Sequence, residues 1–94
     1  MDDKIKLALD TEFQSMDCGI ITARDYLKEL LLTLVREGES FSGKRPFGNS
    51  GWENELAEPL IIAGVIEGKI EDGYAEPAND LAYADALEAL VDAL

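Results

Sequence analysis

The stretch Thr22-Ala23-Arg24-Asp25-Tyr26-Leu27-Lys28-Glu29-Leu30-Leu31-Leu32-Thr33-Leu34-Val35-Arg36-Glu37-Gly38 decides the fold of this chain. Its first four residues form a capping-box pattern. The Thr22 hydroxyl can accept from the third helical N–H, and Asp25 can reach back to the cap. Ile21 and Tyr26 stand at the staple positions on either side. Tyr26, Leu27, Leu30, Leu31, Leu34 and Val35 then recur at helical spacing, and Leu32 widens the stripe. A stripe this wide predicts a helix over 22–37 that packs on more than one side, at the centre of the core. Gly38 supplies the stop.

Working outward from this helix, residues 3–14 place Ile5, Leu9 and Phe13 at i, i+4 and i+8, which predicts a short preceding helix. Asp17-Cys18-Gly19 reads as a turn. On the other side, Ser50-Gly51-Trp52-Glu53 is a second capping-box pattern. It opens a helix carrying Trp52, Leu56, Leu60, Ile61 and Ala63. Pro59 lies inside this helix, so a kink near Glu58 or two abutting short helices are expected. Gly64 ends the element, and Val65 and Ile66 return to the core. Asp72-Gly73 between Ile70 and Tyr74 is a strong hairpin signal, and Pro77 closes that stretch. Asn79 or Asp80 can cap a last helix in which Leu81, Ala84, Leu87, Leu90, Val91 and Leu94 keep helical periodicity. The expected architecture is one domain over 1–94, mainly α. It would be a compact bundle of about four helices with a short β-hairpin near residues 65–76.

Charge narrows the function classes. The chain is 47% hydrophobic, which is too apolar for disorder, yet its net charge is −12. Residues 53–94 hold eleven acids against Lys69 alone, a net of −10. Such a field repels nucleic acid and anionic membrane and attracts basic protein surfaces. No apolar run reaches the length of a membrane span, and Met1–Lys6 lacks the pattern of a secretory leader. With one cysteine, Cys18, no internal disulfide forms, and a cytoplasmic location is expected. Cys18 has no His to activate it and reads as a small loop residue.

Catalytic signals are sparse. The chain has no His, no Cys/His cluster and no nucleotide-binding glycine fingerprint. Gly43-Lys44 matches only part of a phosphate-binding loop, and Glu71-Asp72-Gly73 lacks the other ligands of a calcium loop. Glu53, Glu55 and Glu58 are spaced as a solvated helix face. The expectation is a protein that is no enzyme and uses no cofactor and no metal. The most unusual segment is the loop 41–52, with three glycines, two phenylalanines, the only Trp and the Lys44-Arg45 pair. Its candidate binding residues are Lys44, Arg45, Phe47, Asn49, Ser50 and Trp52. Glycine-freed N–H groups and the two bases could hold an anion, while Phe47 and Trp52 could anchor a partner. Large aromatics are usually buried, so Phe41, Phe47 and Trp52 are expected to fold inward, and the bases could instead pair with Glu53 and Glu55. The candidate acidic face is Glu53, Glu55, Glu58, Glu71 and Asp72.

Two resemblances extend this reading. The order of helix, glycine-ended helix and Asp-Gly hairpin over residues 22–76 resembles a winged helix. In particular, Ala63-Gly64-Val65-Ile66-Glu67-Gly68 looks like a recognition helix running into a wing. That resemblance implies DNA binding, but the helix carries Glu53, Glu55 and Glu58 and the wing tip Glu71 and Asp72, where phosphate contact needs bases. Tyr26-Leu27-Lys28-Glu29-Leu30-Leu31 together with the string from Phe41 to Trp52 is similar to small bacteriophage and prophage proteins. This implies an accessory protein acting in a bacterial cytoplasm on a host or defence protein. The leading expectation is therefore an acidic interaction protein with a basic protein partner, in its sharper form a DNA mimic or inhibitor. Direct nucleic-acid binding by a winged-helix regulator, and anion or nucleotide binding by the loop, are the alternatives. The broad stripe of 22–37 also leaves room for a homo-oligomer.

Overall fold

The computed structural model of the protein describes residues 3–16, 18–36 and 55–94. These form, in order, α1 (Asp3–Asp10), β1 (Glu12–Ser15), β2 (Gly19–Thr22), α2 (Ala23–Arg36), α3 (Ala57–Ile62), β3 (Gly68–Glu71), β4 (Tyr74–Pro77) and α4 (Asp80–Ala93). The architecture is mixed α and β, with two separate two-stranded antiparallel sheets among the described residues. This corrects the expected mainly α bundle with one hairpin. It also corrects the winged-helix-like order, because a further hairpin precedes α2 and each hairpin is its own sheet.

The unexpected hairpin begins where α1 stops. Thr11 bends its hydroxyl back onto the Leu7 carbonyl at 2.7 Å, and its N–H bonds to Ala8 three residues earlier. Serine and threonine hydroxyls that bond back in this way compete with helix continuation. The helix predicted over 3–14 therefore ends at Asp10. Phe13 still reaches the core, but from a strand whose Phe13 and Ser15 point inward and whose Glu12 and Gln14 point outward. β1 pairs with β2 in the register Phe13↔Ile21 and Ser15↔Gly19. Ala23 N–H then donates to the Thr11 carbonyl at 3.0 Å, closing the hairpin base onto the end of α1. An exposed Arg24–Asp10 pair at 3.2 Å spans the same junction, and such surface pairs contribute little.

α2 begins as its sequence predicts. Thr22 Oγ1 accepts from the Asp25 N–H at 3.2 Å, satisfying one of the donors a helix start leaves open. Tyr26, Leu27 and Leu30 are buried, whereas Leu32 is exposed. The segment with the second capping-box pattern lies outside the described residues. From Glu55 onward, a single 3₁₀ turn at Glu55 and Leu56 leads into α3. Pro59 is the third residue of α3, within the first turn, where its missing N–H has no helical partner to lose. No kink is needed.

α3 ends as a Schellman motif. Gly64, at φ +79°, donates to Ile61, and Val65 donates to Leu60 at 2.9 Å. That reversal returns Ile66 to the core and feeds β3. A side chain at Gly68 would collide with the Glu76 carbonyl and with Ile61, so β3–β4 lies tightly against α3. The hairpin tip is Asp72 at φ 50° and Gly73 at φ 82°. Two positive φ angles in a two-residue loop define a type I′ turn, which matches the strand twist. Asn79 caps α4 by accepting from the Ala82 N–H at 2.9 Å. α1 packs on α4, α2 and α3, and the core joins Leu9, Phe13, Leu27, Leu56, Leu60, Leu87 and Leu90. Leu81, read as part of the last helix's apolar face, is exposed in its first turn.

Candidate functional site

Leu56 and Ala57 are fully buried and hold the start of α3 to the core. Glu55, just before them, turns inward to the first hairpin. Its Oε1 accepts from the Met16 N–H at 2.7 Å. Its Oε2 accepts from the Tyr26 hydroxyl and, over a long 3.4 Å, from the Ser15 hydroxyl. Ser15 is 1% exposed and in turn accepts from the Cys18 N–H at 3.3 Å. The Tyr26 ring sits edge-on to Phe13, with centroids 5.4 Å apart. One carboxylate therefore gathers β1, its turn and α2 at a single point. Hydrogen bonds to an ionised acceptor are about twice as strong as neutral ones, which suits this junction between residues some forty positions apart.

This corrects the reading of Glu55 as part of a solvated helix face. Its neighbours in sequence carry no signal of the inward turn, because its partners among the described residues come from the first hairpin and α2. Glu58 is half-buried in the first turn of α3. Glu71 and Asp72 are exposed at the second hairpin. Lys44, Arg45, Phe47, Asn49, Ser50, Trp52 and Glu53 lie outside the described residues, as does any pairing of the two bases with Glu53.

The structure brings the tips of the two hairpins together over Glu55 and Glu58. Between them runs an open groove of about 210 Å³. Gln14 and Met16 form one wall, Gly73, Tyr74 and Ala75 the other. Met16 is 92% exposed and Tyr74 80%. On the far side of Tyr74, a shallower depression is lined by Lys69, Glu71, Asp72 and Glu76. Tyr74 thus stands between two carboxylate-bearing hollows. Sequence reading missed Ser15, Met16 and Tyr74 as site residues. It placed Tyr26 as a staple and in the apolar stripe of the helix, although a buried tyrosine hydroxyl calls for a partner and was the one available hint.

Cys18 is exposed and free. Among the described residues, no helix is long and apolar enough to cross a membrane, and no group of three His, Cys, Asp or Glu side chains could hold a metal. Comparison of the chain with family models, with curated proteins and with solved structures finds no match.

Proposed function

We propose that this chain is a small acidic binding protein whose two-hairpin face engages the basic surface of a protein partner. The observation that carries the reading is Tyr74, a large exposed aromatic flanked by Glu58 on one side and by Glu71, Asp72 and Glu76 on the other. Exposed carboxylates steer a basic partner and set its orientation. An aromatic among them supplies the contact area that interface anchors provide. The net charge of −10 over residues 53–94 favours a protein partner over nucleic acid. In its sharper form, the carboxylates stand where a nucleic acid would present phosphates, and the chain occupies a nucleic-acid-binding groove as a mimic or inhibitor. The likeness of segments 26–31 and 41–52 to phage and prophage proteins supports a host or defence protein as the target.

The test is retention from a bacterial lysate on the immobilised chain at low and moderate salt. The comparison is with a triple variant, Glu71→Gln, Asp72→Asn, Glu76→Gln. The reading predicts a basic protein held at low salt, released as the Debye length shrinks to about 8 Å near physiological ionic strength, and lost with the variant. Retention that ignores both salt and the variant would refute it. Recovery of nucleic acid in place of protein would refute it in favour of a nucleic-acid-binding regulator.

A further inference from the structure

We propose that the groove between the two hairpin tips receives a single arginine side chain of the partner. The inference rests on the reading of this face as a protein-binding one and names what the face recognises. Size is the first argument. At about 210 Å³ the groove is smaller than the ~300–1,000 Å³ typical of small-molecule sites. It is a space for one head group, not for a cofactor.

The second argument is the chemistry of its lining, which among the described residues is rich in acceptors and holds no base. Among the described residues Glu55 takes three donors, two of them on Oε2. A carboxylate has about four lone-pair sites, so these donors leave Oε1 capacity for one more. The Glu58 carboxylate has no hydrogen-bond or ion-pair partner among the described residues. Gln14 spends an N–H on the Ser15 carbonyl at 3.1 Å, which leaves its amide oxygen as an acceptor. A planar cation with five donors matches such a set.

The walls supply the third argument. Tyr74 offers an exposed ring on which a guanidinium stacks, and Met16 offers an adaptable apolar surface for the methylene stem. Lysine could meet the charge, but its ammonium matches neither the ring face nor the spread of acceptors as well. Glu55 is also held in place by its three donors before a ligand arrives, so little ordering is required on binding.

The experiment is a titration of the intact chain, followed by amide proton–nitrogen NMR spectra at low salt. The probes are acetyl-arginine amide, acetyl-lysine amide and the neutral isostere acetyl-citrulline amide. Arginine should give saturable shifts at Met16, Gly73, Tyr74 and Ala75, with lysine weaker and citrulline silent. Glu58→Gln and Tyr74→Ala should each weaken arginine by about threefold, the scale of an exposed ion pair or cation–π contact, and leave the remaining spectrum in place. Equal response to citrulline would overturn the proposal. So would unsaturable shifts spread over the acids of α4 at Asp85, Glu88 and Asp92. Lysate retention separates the two ideas. A partner lost with the Glu71/Asp72/Glu76 variant but held fully by Glu58→Gln and Tyr74→Ala removes the groove and keeps the face. Arginine shifts confined to the groove with no retained partner keep the groove and remove the reading of the face.

Discussion

The two hairpins differ in what holds them. β3–β4 carries its own instructions in Asp72-Gly73, whose positive φ angles set the turn and the register Glu71↔Tyr74. β1–β2 carries the turn signal Asp17-Cys18-Gly19, with Gly19 at φ 70°, but no two-residue Asp-Gly loop. It is held from outside, by Phe13 in the core and by Glu55 accepting from Met16 at its tip. One hairpin is thus local in origin and presents exposed side chains. The other is tertiary in origin and is recruited to face it. The groove exists because a carboxylate at the start of α3 fixes the second relationship while the turn fixes the first.

The largest effect should come from Phe13→Ala. Removing a buried aromatic that also packs edge-on with Tyr26 costs about 3–5 kcal/mol. That is a large share of the ~5–15 kcal/mol that holds a small domain. Urea unfolding should show a much lower midpoint, and a small shift would mean that β1–β2 is not anchored by the core. Glu55→Ala comes next, at about 2 kcal/mol, because it strips an acceptor from the buried Tyr26 hydroxyl and from Met16 N–H. The same midpoint measurement reads it, and a neutral outcome would dissolve the contrast between the hairpins.

Gly73→Ala tests the other side. Forcing a side chain into φ 82° costs about 1 kcal/mol, and the loss should be confined to chemical shifts of β3–β4. Spectral changes reaching Ser15 and Met16 would show the hairpins to be one unit. The smallest effect is Tyr74→Ala. Its exposed ring should leave stability within about 0.5 kcal/mol, so any loss of binding is a loss of contact and not of fold.

The same contrast explains what could be read in the sequence. Helix α2 with Thr22 at its cap, the stop at Gly64, the Asp72-Gly73 turn and the Asn79 cap are all local signals, and each forms as its residues predict. The first hairpin was hidden because Phe13 satisfies a helical i+8 spacing from Ile5 while occupying a strand. Only Thr11 bonding back to Leu7 marks the break. Glu55 was hidden for a different reason. Spaced with Glu53 and Glu58 it looks solvated, and its partners lie 29 to 40 residues away. Acidity over 53–94 was legible as composition. That Tyr74 and Met16 would stand across a groove from one another was not, since their meeting depends on both hairpins being placed.

The most direct test of this account is native-state hydrogen exchange of the Met16 amide in the wild type and in Glu55→Ala. Strong protection of Met16 in the wild type is predicted. In the variant it should fall far more than that of the β3–β4 ladder. An unprotected Met16 amide in the wild type, or an equal loss across both hairpins, would contradict the claim that Glu55 builds this face.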